Sequence, residues 1–144
     1  MISLIHKLHK KINMHYQEFF SALIHLLYSV SKSDKEVHLL EVQEILDIIN
    51  SDIPKIFPEI PKEFQSLNNH LAIDEFKRLY KNQITEEQAY NYFIKFHENN
   101  KSRFNLDINL ICYQLAAKVA FSHKGVNEEE KQFLLKLKHY LKID

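Results

Sequence analysis

The stretch SHKGVNEEEKQFLLKL, from Ser122 to Leu137, decides the fold because the chain contains a second copy of its pattern. The upstream copy, SDKEVHLLEVQEIL, begins at Ser33, so the offset between the copies is 89 residues (122 minus 33). Each copy is flanked by apolar residues at helical spacing and encloses a short polar loop with one valine that we expect to be buried. The repeat therefore predicts two helix–loop–helix hairpins packed through their apolar faces. Matching positions include Ser33 with Ser122, Val37 with Val126, Glu41 with Glu130, and Leu46 with Leu135.

Composition favours an all-α fold, a compact helical bundle formed by one domain over residues 1–144. The chain has 1 glycine and 3 prolines, too few turn residues for a β-sandwich. We place the two hairpins at about residues 15–50 and 105–143, with a helical insertion at about 53–101. No apolar run is long enough to cross a membrane, and no signal peptide is evident, so we expect a cytoplasmic protein. The net charge of +0 argues against nucleic-acid binding.

Helical periodicity and capping signals give the approximate elements. We expect a helix from about Met14 to Ser31, a second that ends at residues 50–52, and extended or turning chain through the proline-rich segment 53–64. A short helix begins near Pro61, and another spans Ile73 to Lys81. Thr85 opens a capping box for the next helix. The expected apolar stripes of the central helices are Phe76, Leu79 and Tyr80, followed by Ala89, Tyr92, Phe93 and Phe96.

The N-terminal segment Ile2 to Ile12 has an apolar face and a basic remainder. Such a helix can bind a membrane surface or a partner protein. Its apolar face is short, which favours a first helix that docks on the bundle. The lone Cys112 lies in an apolar helix and is interpreted as a buried hydrophobic residue. His25, beside an apolar stripe, is interpreted as a hydrogen-bonded, partly buried imidazole.

The repeated loop resembles the motif of the TerB-like family, which includes the tellurite-resistance TerB domain and the related domain of DjlA-type co-chaperones. That family repeats Ala-x-Ala-Asp-Gly-x-Val-x-x-x-Glu. Here the first copy runs from Ser31 through Asp34 and Val37 to Glu41. The second runs from Ala120 through His123 and Val126 to Glu130. The resemblance covers roughly residues 15–50 and 105–143, and it implies a helical fold and a role in stress resistance.

The resemblance also implies a divalent-cation site formed by the two loops. The positions that match the family's acidic residues are Asp34, Glu41, His123 and Glu130. The chain departs from the family motif in two ways: Lys35 and Lys124 replace the two glycines, and His123 replaces the second aspartate. An imidazole ligand makes a site less suited to Ca²⁺ and Mg²⁺, which prefer oxygen ligands, and better suited to Zn²⁺. The implied cofactor is thus a divalent metal ion, with Zn²⁺ and Ca²⁺ as candidates.

Helix capping offers a second interpretation of the glutamates. Asn127-x-x-Glu130 is a capping pattern, and acidic residues in a first helical turn are favoured by the helix dipole. Three functions remain open: a non-catalytic binding domain with an unidentified protein partner, a metal-assisted hydrolase that uses the same loops, and a metal-free helical scaffold. The absence of a strong catalytic motif in the sequence favours the binding domain.

Overall fold

A computed structural model describes residues 2–33, 39–56, 62–122 and 126–143, and the side chains of residues 17–33, 39–55, 70–122 and 126–143. Within these ranges the chain forms helices and turns and no β-strand, which confirms the all-α class. The α-helices are α1 (Ile2–Ser31), α2 (Leu39–Asp47), α3 (Ile53–Ile56), α4 (Lys62–Lys81), α5 (Glu86–Asn99), α6 (Leu106–Ala120) and α7 (Glu128–Tyr140). A π-helical turn (Ile48–Asp52) joins α2 to α3, and a 3₁₀ turn (Lys101–Arg103) precedes α6.

Helix α1 is the central element, packed against α4, α5 and α6. Residues 22–31 at its C-terminal end are all buried, which is typical of a helix at the centre of a bundle. Ser29 and Ser31 lie in this buried segment, and each hydroxyl donates a hydrogen bond to a backbone carbonyl of its own helix, at 2.6 and 2.8 Å. Helix α2 packs on α6, and α7 packs on α6 and α1. Buried residues of α1 at the centre include Leu23, Ile24, Leu26, Leu27, Tyr28 and Val30.

Three predicted helix boundaries are wrong. The first thirty residues form one helix, Ile2–Ser31, because no glycine or proline separates Ile12 from Met14. The second helix continues through residues 50–52 as a π-helical turn and on into α3. Proline has no backbone N–H to donate to the preceding turn of a helix. Pro54 is tolerated here because the π-helical turn directly before it widens the helix.

The predicted pair of helices after Pro61 is also one helix, Lys62–Lys81. The proline-rich segment is helical at residues 53–56, and residues 57–61 lie outside the described part. Two expected core aromatics are on the surface instead: Tyr80 is 55% exposed and Tyr92 is 46% exposed. The other expected stripe residues of α4 and α5 are buried, apart from the half-buried Phe96.

Candidate functional site

The two loop–helix junctions have matching local structure. Helices α1 and α6 end at Ser31 and Ala120, so these two helix ends keep the 89-residue offset of the sequence repeat. The same offset relates two turn hydrogen bonds. The Ser33 hydroxyl donates to the carbonyl of Val30 at 2.8 Å, and the Ser122 hydroxyl donates to the carbonyl of Val119 at 2.6 Å.

The two repeated glutamates both lie in a first helical turn with buried side chains. Glu41 is 0% exposed in α2, and Glu130 is 3% exposed in α7. Glu130 completes the predicted capping box. Its backbone N–H donates to Asn127 Oδ1 at 2.8 Å, and its Oε1 accepts from the backbone N–H of Asn127 at 3.2 Å. The capping interpretation of Glu130 is therefore confirmed, and it leaves one carboxylate oxygen, Oε2, outside the box.

The other two predicted metal ligands, Asp34 and His123, lie outside the described residues. Ser33, next to Asp34, lines a cavity of about 550 Å³ together with Glu128 and Glu129 of the second loop–helix junction. Among the residues with described side chains, no three His, Cys, Asp or Glu groups are arranged to hold a metal ion.

Lys136 of α7 forms one wall of this cavity and contacts residues of α5. The ammonium of Lys136 lies 4.2 Å from the centroid of the Tyr90 ring and 5.3 Å from that of Phe133. It also lies 3.8 Å from Glu86 Oε1. A cation over aromatic faces beside a carboxylate is a stabilising contact, so this wall joins the two helices. A neighbouring cavity of about 470 Å³ is lined by Lys32, Thr85, Glu86 and Glu87.

His25 forms a polar cluster between α1, α4 and α5. Its Nδ1 lies 2.7 Å from the carbonyl oxygen of Ser21, which makes Nδ1 the protonated nitrogen. Its Nε2 lies 3.7 Å from Glu75 Oε1, and the ring stacks on Tyr92 at 3.7 Å with an interplanar angle of 11°. Burial lowers the pKa of His25, and the Ser21 carbonyl and Glu75 oppose that effect. A buried, hydrogen-bonded imidazole matches the sequence interpretation.

Glu75 is the carboxylate of the same cluster, and an arginine neutralises it. Arg78 donates from Nε to Glu75 Oε2 at 3.1 Å and from Nη2 to Oε1 at 2.9 Å. Ser21 Oγ donates to Oε1 at 3.3 Å. The hydrogen bonds from Arg78 are the main reason that the pKa of Glu75 is lowered. A carboxylate held in this way is a weak general base, so the cluster is suited to joining helices rather than to acid–base chemistry.

A second histidine network, missed in the sequence, joins α5, α6 and α7. His97 Nε2 lies 2.9 Å from Asn109 Oδ1, and His97 Nδ1 lies 3.0 Å from the hydroxyl of Tyr140. The amide oxygen can only accept, so Nε2 carries the proton and the tyrosine hydroxyl donates to Nδ1. Burial lowers the pKa of His97. The spacing of residues in the sequence could have indicated this burial. His97 lies four residues after Phe93 and eight after Ala89, so it shares their buried helical face.

Two side chains of the nucleophile type, Cys112 and Ser21, are held in ways that do not activate them. Cys112 is buried as predicted, and burial raises the pKa of its thiol to about 12. A thiol with that pKa is a poor nucleophile near neutral pH. The hydroxyl of Ser21 donates to a carboxylate rather than to an imidazole.

Within the described ranges, no helix is long and apolar enough to span a membrane.

Comparison with models of known protein families, with curated proteins and with solved structures found no match.

Proposed function

We propose that the chain is a non-catalytic, TerB-like binding domain. It works in the cytoplasm through a protein partner, in a stress-associated process such as tellurite resistance. The observation that carries the proposal is that Ser33 and Glu128, which flank the two repeated loops, line one cavity. Two hairpins related by a pseudo-repeat place their turns at one end of a bundle. The ends of α1 and α6, which keep the 89-residue offset, support that repeat.

A divalent cation held between the loops is the second part of the proposal. Its ligands are Asp34, Glu41, His123 and Glu130. Carboxylates and an imidazole are ligand types that Zn²⁺ accepts, and the carboxylates also suit Ca²⁺. The buried glutamates occupy equivalent first-turn positions, one from each hairpin, which supports a joint role. Such an ion would connect the hairpins and make the adjoining surface depend on ion occupancy.

A metal-free scaffold is the second candidate, and the capping box favours it. Asn127 and Glu130 exchange the two hydrogen bonds of that box, which is sufficient reason for a glutamate at this position. In a scaffold of this kind, the loop recurs because it turns the chain and starts a helix. Both candidates predict a stable bundle, and they differ only in the response to ions.

The deciding experiment is thermal unfolding of the tag-free chain in EDTA and then in Zn²⁺ or Ca²⁺. An ion at a hundred times its dissociation constant adds about 2.7 kcal/mol to the free energy of unfolding. The informative variant is Glu130→Gln, because glutamine also completes a capping box but has no carboxylate. Asn127→Ala is the matched control, since it removes the cap and keeps the carboxylate. His123→Ala tests the second loop directly.

For the cation site, we expect an ion to raise the unfolding midpoint of the natural chain and of Asn127→Ala. The same ion should leave Glu130→Gln and His123→Ala unchanged. If neither ion raises the midpoint of the natural chain, the cation proposal is wrong and the metal-free scaffold remains. Turnover of a phosphate or carboxylate ester by the ion-loaded chain would overturn the non-catalytic part of the proposal.

A further inference from the structure

A buried histidine and an exposed arginine face the same carboxylate, that of Glu75 in α4. His25 in α1 is 4% exposed, whereas the side chain of Arg78 in α4 is 51% exposed. The neutral His25 ring donates from Nδ1 to the carbonyl of Ser21, so its Nε2 is an acceptor. This nitrogen lies 3.7 Å from Glu75 Oε1, which is also an acceptor. Two such atoms form a hydrogen bond only when one of them gains a proton.

The oxygen that faces His25 already accepts two hydrogen bonds. Arg78 Nη2 donates to Glu75 Oε1 at 2.9 Å, and the Ser21 hydroxyl donates to it at 3.3 Å. A carboxylate oxygen has about two lone-pair sites. A third donor, from a protonated His25, must therefore displace one of the two. On the α5 side of the imidazole, the ring of Tyr92 stacks at 3.7 Å.

The two cations differ in what they lose when they leave Glu75. A guanidinium at the surface is solvated by water, so its ion pair contributes little to stability. A buried imidazolium has no such replacement, and an unpaired buried charge is costly. Burial is the main reason that the pKa of His25 is lowered; the Ser21 carbonyl and Glu75 raise it, and Arg78 lowers it further. Once His25 is charged, its pairing with the carboxylate is therefore favoured over that of Arg78.

We propose that a proton on His25 displaces Arg78 from Glu75. In acid, the imidazolium donates from Nε2 to Glu75 Oε1 and forms a cation–π pair with the Tyr92 ring. The guanidinium of Arg78 turns into solvent, where it is free to bind a carboxylate or a phosphate. Because α1 and α4 remain joined in both states, the exchange is a pH-dependent switch of surface charge within an intact bundle.

The test is an NMR titration of the isotope-labelled full chain from about pH 8 to about pH 4.5, with EDTA present throughout. Two signals are followed. One is the ring of His25, which the variant His25→Gln assigns among the 9 histidines. The other is the Nε–H of Arg78, which donates to Glu75 Oε2 at 3.1 Å before the exchange. The first signal reports the proton, and the second reports whether the guanidinium leaves.

We expect the Arg78 Nε–H signal to move to the position of a solvated guanidinium, with the same midpoint as His25. Arg78→Gln should raise the measured pKa of His25 by about 1, because it removes the competing cation. Glu75→Gln should lower that pKa, because the imidazolium loses its partner. Lys77→Gln, which removes a charge from an adjacent exposed position of α4, is the matched control and should leave the pKa of His25 unchanged. His97, bonded to α6 and α7, is the internal reference in every spectrum.

An Arg78 signal that stays constant while His25 titrates would overturn the proposal, because the proton would then displace the Ser21 hydroxyl instead. So would an Arg78→Gln variant in which the pKa of His25 keeps its natural value. A chain that unfolds before His25 is protonated would also overturn it, since the exchange requires the folded bundle. None of these results bears on the cation site, because EDTA is present and the thermal experiment tests that site separately.

Discussion

The imidazole of His97 is a single buried residue that makes stability depend on pH. Burial lowers its pKa, and the bonds to Asn109 and Tyr140 hold the neutral ring in place. Above the unfolded-state pKa of about 6.5, both the folded and the unfolded states carry a neutral ring. Below that pH the unfolded chain binds a proton that the folded chain resists. The free energy of unfolding should thus fall as the pH drops from about 6.5 through the folded pKa.

We predict that His97→Gln makes this acid-induced loss shallower. The contribution of one such group is at most about 1.4 kcal/mol per pH unit. Urea unfolding at pH 7.5, 6.5 and 5.5 measures the slope. His25 also has a lowered pKa, so some slope remains in the variant. The exposed His70 provides the control substitution, His70→Gln, and an equal flattening by that variant would contradict the assignment to His97.

Two helix ends in this chain adopt a left-handed conformation without glycine. Gln83 has φ 52° after α4, and Lys142 has φ 58° after α7. After α4, Gln83 N–H bonds the carbonyl of Tyr80, and Ile84 N–H bonds that of Leu79, at 3.2 and 3.1 Å. This is the hydrogen-bond pattern of a Schellman cap, in which glycine is the preferred residue at the left-handed position. The side chain of Gln83 therefore destabilises the turn.

We predict that Gln83→Gly stabilises the domain by about 0.5–1 kcal/mol, because the left-handed conformation of glycine carries no Cβ penalty. Urea unfolding of the two chains measures the difference. Gln83→Ala is the control, since alanine keeps the Cβ and should change the free energy by less than about 0.5 kcal/mol. A destabilising effect of Gln83→Gly would mean that its added freedom in the unfolded chain outweighs the relieved strain.

At the scale of elements, the sequence was informative where a chemical signal marked the boundary. Thr85 and Asn127 are capping residues, and α5 and α7 begin directly after them. Asn50, Ser51 and Asp52 were expected to end a helix, but the packing of their neighbours keeps them helical. Residues 50–52 remain helical with Ile48, Ile49 and Ile53 buried on either side, and the carboxylate of Asp52 reaches Lys118 at 2.7 Å. Local propensity is overridden by such tertiary contacts.

The polar clusters were harder to predict than the core because they join residues that are far apart in sequence. Tyr140 and His97 are 43 residues apart in sequence, so their hydrogen bond depends on how α5 and α7 pack. Tyr92 occupies an apolar-stripe position, yet it lies at the surface because its ring covers His25. Periodicity indicates which face a residue lies on, and it carries no information about which residue lies across from it.

At the scale of the whole molecule, Cys112 reports on unfolding. It is buried in α6, and burial raises the pKa of its thiol to about 12. A thiol-specific disulfide reagent at pH 8 should modify only molecules in which the bundle is open, and at low reagent concentration the labelling rate reports the equilibrium constant for that opening. We predict that the free energy from the labelling rate, measured as a function of urea, equals that from circular dichroism. Fast labelling without urea would show that α6 separates from α1 before the rest unfolds.

The position of α1 in the bundle has a consequence for synthesis on the ribosome. The helix emerges first, yet the partners that cover it, α4, α5 and α6, end between residues 81 and 120. At about 5–20 residues per second, the nascent chain exposes this apolar helix for roughly 4–18 seconds before α6 has been translated. During that interval it is a target for chaperones that bind apolar segments. The rate of translation through residues 32–120 therefore sets how long each new molecule is exposed to aggregation.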